Sequence, residues 1–346
     1  MSFKEIRIKD RLIGPDHYPL VIAEIGINHE GSLKVAIEMA NSAIDAGAEI
    51  IKHQTHIVED EMSPEAKKII PGNSSSSIYE IMERCALREE EELQLKDHIE
   101  SRGCIFISTP FSRAAFERLK SFDVPAYKIG SGECNNYPLL KLVAETKKPT
   151  IISTGMNNIE TIDNVAEIFE KSGTQYAFLH TTNLYPTPPA LVRLGAITEL
   201  MERYDVPIGL SDHTTTNHAC FGAIALGASL LERHFTDSKD RTGPDIVCSM
   251  DGKDLKELIE GSKILKEERG GSKEILDEEK VTIDFAYATV VSIKEIKKGD
   301  VLSEDNIWVK RPGTGPILAK DFESLIGKKA TRDLKSDIHL SENDFS

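Results

Sequence analysis

The chain has no uninterrupted apolar run near the roughly 18 residues that a membrane-spanning helix needs, which excludes that class of protein. Its first residues, MSFKEIRIKDRLIG, lack a basic segment followed by an apolar stretch and a small-residue cleavage site. No secretory signal is read there, and the cytoplasm is the expected compartment. Basic charge is in deficit. Lys and Arg number 42 against 57 Asp and Glu, a net charge of −15 whose field repels nucleic acid rather than recruiting it. Cysteine is sparse and unpatterned: Cys85, Cys104, Cys134, Cys220 and Cys248 are odd in number and contain no C-x-x-C pair. That argues against a disulfide framework or a thiolate zinc site and for reduced, mostly buried thiols. An acidic protein that binds a small anion must therefore gather cations at one place.

What is present is a repeating unit. Across 346 residues, apolar or β-branched runs occur at 20–26, 49–55, 104–109, 126–132, 149–154, 176–182, 206–213 and 230–236, each followed by a helical pattern. The helix over 32–46 is the plainest, with Ser32 able to N-cap, a stripe of Leu33, Ala36, Ile37, Ala40 and Ile44, and Gly47 able to close it. Similar stripes recur near 137–147, 158–172 and 252–267. Eight strand-helix units predict an α/β fold, a (β/α)8 TIM barrel, with a doubly wound open sheet as the alternative. The connection after the second strand is long, and its PGNSSSSIYE stretch reads as a loop with a short helix over the barrel mouth. The expected domains are a catalytic barrel over 1–268, a charged Gly-containing linker over 269–281 and a small, mostly β module over 282–346.

Barrel chemistry sits at the C-terminal strand ends. Those positions hold Glu24, Lys52, Gln54, Thr109, Lys128, Ser131, Glu133, Ser153, Asn183, Tyr185, Ser211, His213 and His234. Any one Ser or Thr there can simply cap the next helix, but every strand contributes a polar residue. His213 and His234 end neighbouring strands, and alternation puts Glu232 on the same face as His234. A lone strand-end His is commonly a hydrogen-bonded structural group. As a pair beside carboxylates, the two suit an open divalent-metal site, with Mn or Mg favoured over structural zinc. Lys52 and Lys128 interrupt apolar strands, and a buried Lys demands an anionic partner. That partner is either an anionic substrate, held with nearby hydroxyls and amides, or a salt bridge to Glu24 or Glu133. His53 and His56 have H-x-x-H spacing, which fits neither alternate strand positions nor a helical metal pair, and they read as supporting or loop residues.

The segments AEIGINHEGS, IKHQTHIVEDEM, STPFSR, YKIGSGECNN, STGM, HTTNLYPTP, GLSDHT, ERHFT, GPDIVCSM and KKGDVLSEDNIWVKRPG, in this order, closely resemble the bacterial N-acetylneuraminate (sialic acid) synthase family. The resemblance runs over nearly the whole chain. It implies condensation of phosphoenolpyruvate with N-acetylmannosamine and water to N-acetylneuraminate and phosphate, with Mn2+, Mg2+ or another divalent metal. It also implies a homodimer with exchanged C-terminal antifreeze-like (SAF) domains. Carried over by position, it makes His213 and His234 metal ligands. Lys52, Lys128, Thr109, Ser131, Ser153, Asn183 and Ser211 become the phosphoenolpyruvate cradle. Glu24, Tyr185 and Asp245 become sugar contacts, Glu133 the residue that holds the attacking water, and Arg311 an arm that reaches the partner's sugar site. Pro316 lengthens RPGTGPIL by a residue relative to the commoner RPG-x-G-I pattern.

In that reaction C3 of the enol attacks the open-chain aldehyde, water attacks the resulting cationic C2, and the C–O bond breaks, with Glu133 positioning or deprotonating the water or else only hydrogen-bonding structurally. Other readings stay open. Lys128 could form a Schiff base as in an aldolase. The acceptor could be a 2,4-diacetamido-trideoxyhexose, giving legionaminic or pseudaminic acid, although HQTHIVEDEM favours N-acetylmannosamine. A non-enzymatic chain, with its small domain binding ice or a partner, is disfavoured by the complete strand-end set.

Overall fold

In a computed structural model, residues 4–71 and 75–346 are described; Gly72, Asn73 and Ser74 of the PGNSSSSIYE stretch lie outside them. The chain divides into two units, one ending at Gly270 and one spanning Gly271–Ser346. The first opens with an antiparallel hairpin, β1 (Ile6–Ile8) and β2 (Arg11–Ile13). Eight parallel strands then close a barrel: β3 (Leu20–Gly26), β4 (Ile50–Thr55), β5 (Ile105–Pro110), β6 (Tyr127–Ile129), β7 (Thr150–Ser153), β8 (Tyr176–Thr181), β9 (Ile208–Asp212) and β10 (Leu230–His234), with β10 pairing back onto β3. The TIM barrel is thus the observed fold, and the open sheet is excluded by that closing pair.

The apolar runs are continuous because each strand is buried on both faces. Outward residues such as Val21, Ile51, Phe106, Tyr127, Phe178 and Leu231 pack under the helices in the larger core. Inward residues Leu20, Ile22, Ile50, Ile107, Ile151 and Leu230 form a second core with Ile6, Ile8 and Ile13 of the hairpin, which seals the end of the barrel where the strands begin. The helix at Leu33–Asp45 is capped by Ser32 and packs by the expected stripe, with Ala36 and Ala40 fully buried and Leu33, Ile37 and Ile44 against the core edge, and it buries Met39 and Ala43 as well. The long β4–β5 connection is more helical than a loop: it contains Val58–Glu61, Pro64–Lys68, Ile78–Cys85 and Glu89–Ser101.

Two buried polar networks lie on the outer faces of strands whose inner faces carry the site. Beyond β4, His53 Nδ1 lies 3.1 Å from Glu92 Oε1, Thr55 also bonds Glu92, and Arg118 approaches its other oxygen at 3.1 Å. Burial pushes Glu92 upward, but His53, Thr55 and Arg118 outweigh it and hold the carboxyl below its usual range. Beyond β10, the fully buried Arg233 donates to Asn217 Oδ1 at 2.6 Å and to the Thr214 carbonyl at 2.7 Å, and it faces Asp212 at 3.4 Å.

In the second unit β11 (Thr289–Ser292) pairs antiparallel with β12 (Ile307–Lys310), and further single bridges such as Ile296 to Leu334 complete a small, mostly β module. Its core is Val290, Ile296, Leu302, Ile307, Leu325, Leu334 and Leu340. The stretch expected as a linker begins just past the helix ending at Glu268 and ends inside another short helix, Lys280–Ala286. All five cysteines are free and buried, and among the described residues no helix is long and apolar enough to cross a membrane.

Because the hairpin isoleucines complete the inner core, Ile6→Ala is expected to lower unfolding free energy by about 2–5 kcal/mol in a denaturant titration. A loss well under about 1 kcal/mol would show that the hairpin does not seal the barrel.

Candidate active site

Where the strands end, a cavity of about 330 Å³ opens. Of the residues singled out in the sequence, Lys52, Lys128, Ser131, Ser153, Asn183, Tyr185, Ser211, His213, His234 and Asp245 line it, together with Gln54 and Glu232. Glu24 and Thr109 are buried at 1% and 0% exposure but do not form its lining. Glu133 sits on the 3-10 turn Ser131–Glu133 and accepts from Asn136 Nδ2 at 2.6 Å, outside the lining set. Arg311 belongs to the C-terminal unit, exposed immediately after β12.

The cavity is organised by four buried charges. Lys52 forms an ion pair with Glu24 and lies 3.3 Å from Glu232 Oε1. Lys128 lies 3.7 Å from the same Glu232 oxygen and donates to Ser153 Oγ at 2.7 Å and to its neighbour's carbonyl at 2.9 Å. The intramolecular partner foreseen for Lys52, Glu24, is therefore present, whereas Glu133 is not the partner of Lys128. Burial pushes both ammonium groups down, Lys52 to about 8, with Glu232 pulling the other way. Burial would raise Glu232, yet Lys128 and Lys52 outweigh it and hold it below the usual carboxylate range. The second oxygen of Glu232 has no hydrogen-bond donor.

His213 and His234 converge as alternation predicts, with ring centroids 5.3 Å apart. Tyr185 stacks on His213 at 4.1 Å. His213 Nδ1 faces the Thr182 carbonyl at 3.0 Å, so it donates there and leaves Nε2 as a free lone pair. His234 Nδ1 is buried without a hydrogen-bond partner, and Asp245 Oδ2 is 3.5 Å from it. Burial, with the mutual approach of the rings, lowers His213 to about 4; burial and then Lys52 lower His234 to about 3. Burial raises Asp245 to about 6. Neutral, partner-poor imidazoles suit a divalent cation. Among the described residues no group of three or more His, Cys, Asp and Glu side chains converges for one, so such an ion would keep positions open to other ligands.

The hydroxyl and amide groups around the lysines are under-used, as an anion cradle requires. Thr109 Oγ1 and Asn183 Oδ1 have no hydrogen-bond partner. Gly155, in the STGM segment, lets Asn183 and Ser131 approach: its amide donates to Ser131 Oγ at 3.1 Å, and a Cβ there would fall 1.9 Å from Asn183 Oδ1. The sequence reading passed over Gly155 and treated Glu232 only as a face-mate of His234. The signal for Glu232 was a third charge on the inward face of an apolar strand. It also missed the apolar wall of Ile78, Ile81 and Met82, which the β4–β5 connection supplies.

The NeuB family model matches residues 39–274 and the SAF domain model residues 287–346. The N,N'-diacetyllegionaminic acid synthase of Campylobacter jejuni is 34% identical over 333 residues, covering 93% of this chain and 99% of that protein. A pseudaminic acid synthase of Campylobacter jejuni is also 34% identical, covering 95% and 97%. The crystal structure of the N-acetylneuraminic acid synthetase of Leptospira borgpetersenii superposes with a TM-score of 0.75 at 29% identity, covering 82% of this chain and 96% of that one.

Two buried ammonium groups sharing one carboxylate make a further prediction. Glu232→Gln is expected to destabilise the fold by about 3 kcal/mol or more, because both cations lose their common partner. Millimolar inorganic phosphate should raise the unfolding temperature of the variant more than that of the unaltered protein. An equal response in the two proteins would show that Glu232 does not balance the lysines.

Proposed function

This chain belongs to the NeuB family, whose members condense phosphoenolpyruvate with a sugar, and we propose that its acceptor is N-acetylmannosamine and its product N-acetylneuraminate. The observation that carries the reading is the pair of buried ammonium groups, Lys52 and Lys128, gathered on the cavity wall beside the two neutral imidazoles and held in place by Glu24 and Glu232. The two cations meet the phosphate and carboxylate of phosphoenolpyruvate, and Thr109, Ser131, Ser153, Asn183 and Ser211 supply hydrogen bonds to their oxygens. Lys128 already donates to Ser153 and Ile129, an arrangement that favours a charged anchor over a Schiff-base nucleophile.

Tyr185 and Asp245 on the cavity wall, with Glu24 set just behind Gln54, hold the open-chain sugar so that its aldehyde carbon meets C3 of the enol. As that carbon bond forms, C2 loses its electron pair and a water adds to it. Glu133, raised above the ordinary range by burial, is the group assigned to orient that water and take its proton. Phosphate then departs with the former bridging oxygen, so sugar, enol and water become N-acetylneuraminate and phosphate. His213 and His234 would hold Mn2+, with Mg2+ or another divalent ion as substitutes. Such an ion supplies a Lewis acid for the aldehyde oxygen.

Phosphate release with phosphoenolpyruvate and a panel of amino sugars tests the reading. We expect turnover with N-acetylmannosamine, its loss after chelation and its return with Mn2+. With the bridging oxygen labelled, the label should leave in phosphate. Turnover only with a 2,4-diacetamido-trideoxyhexose would transfer the chain to legionaminic or pseudaminic acid synthesis, the activities named for the two Campylobacter relatives.

We also propose a homodimer with exchanged SAF domains, in which Arg311 of one copy serves the sugar end of the other copy's pocket. Mixing inactive Arg311→Ala and His234→Ala proteins should then restore part of the activity, because exchange rebuilds one intact site per heterodimer. No recovery after demonstrated subunit exchange would rule the shared site out.

A further inference from the structure

We infer that His56 is a positioning residue for the sugar end of the pocket, a ring donor that fixes the amide of Gln54 and, through it, the carboxylate of Glu24. The argument follows donors and acceptors from the pocket outward. Lys52 ion-pairs with Glu24 and so keeps it an acceptor-only carboxylate. Gln54 Nε2 donates to Glu24 Oε1 at 3.2 Å, which turns the amide oxygen of Gln54 the other way. That oxygen lies 3.0 Å from His56 Nε2, and since it can only accept, Nε2 bears a hydrogen. On the opposite side of the ring, His56 Nδ1 lies 2.8 Å from Glu61 Oε2, a contact that anchors the ring.

His56 is thereby held between two oxygens, buried to 1% side-chain exposure and lying flat on Phe111 at 4.4 Å and 16°. It does not line the cavity, whereas Gln54 and Phe111 do, so it acts on a ligand only through them. The backbone is shaped for the same contact. A Cβ on Gly26 would fall 2.3 Å from Glu24 Oε1 and 2.8 Å from Gln54 Nε2, and φ there is +38°. Without the His56 donor, the Gln54 amide can turn over and present oxygen to oxygen at Glu24. The damage should therefore fall on the ligand that Glu24 meets, which is the sugar under the function proposed above.

The test compares the unaltered protein with His56→Phe, Gln54→Ala and the double variant, scored by the KM for each substrate, kcat and the unfolding temperature. His56→Phe keeps the ring stack and removes the donor to Gln54. It should raise the sugar KM by about tenfold, the worth of one hydrogen bond to a charged network, with little change in the phosphoenolpyruvate KM or unfolding temperature. In the Gln54→Ala background it should add almost nothing, and His56→Gln, which can still donate toward Gln54, should recover part of the loss. Equal rises in both KM values, or effects that multiply in the double variant, would reduce His56 to a merely structural part. Should His56→Phe not fold, Glu61→Gln carries the comparison: a raised sugar KM alone supports the clamp, and an unchanged one overturns it. A readout independent of the reaction is nitrogen NMR of labelled histidine, in which the His56 signals should report hydrogen on Nε2. A bare Nε2 would overturn the proposal, whereas failure of every sugar to turn over would overturn the function and leave this test standing.

Discussion

One carboxylate between two ammonium groups is the constraint around which the barrel's open end is built. Glu232 meets Lys52 and Lys128 with the same oxygen, and all three side chains are nearly excluded from water. Taking three charges out of solvent costs several kcal/mol each unless they are mutually satisfied. Strand order, register and inward alternation must therefore agree across β4, β6 and β10. The apolar inner core below, closed by the hairpin, supplies the stability that such a polar cluster consumes. Counted with Glu24, two ammonium groups face two carboxylates, so the cluster is balanced, and the second oxygen of Glu232 is left without a donor. What suits the cavity to an anion, in a protein whose overall charge is strongly negative, is that Lys52 and Lys128 are gathered together on its wall.

The barrel was legible because its signal is local. Each strand is buried on both faces, so its apolar run is unbroken, and each run stops at a polar residue that marks the mouth. The same signal located Lys52, Lys128, His213 and His234 at the cavity. It could not assign partners. Glu24 and Glu133 both end strands, and only closure of the barrel decides that Lys52 meets Glu24 while Lys128 meets Glu232. The hairpin Ile6–Ile8 and Arg11–Ile13 escaped notice because three-residue strands carry too few alternations to register. A short helix over the mouth was expected in this connection, but its cavity-facing residues Ile78, Ile81 and Met82 escaped because such a helix is linked to the strands by distance in space, not by spacing in sequence.

The H-x-x-H of HQTH shows how topology separates residues that spacing joins. Alternation along β4 sends Lys52 and Gln54 inward and His53 outward to Glu92, while His56 falls just beyond the strand and folds back onto Glu61 and Gln54. Two histidines three residues apart thus serve opposite sides of one strand wall. One anchors the strand to the helix at Glu89–Ser101, and the other orients an amide at the rim.

Strand β10 has no idle face. Glu232 and His234 look into the cavity, while Arg233 between them is fully buried on the other side, held by Asn217, Thr214 and Asp212. A slip of one residue would carry a guanidinium into the company of two ammonium groups and drive a carboxylate and an imidazole under the helices. The strand therefore tolerates neither insertion nor gradual remodelling, and altered acceptor preference is more accessible to evolution and to engineering through the helices of the β4–β5 connection, whose pocket-facing residues are ordinary aliphatics.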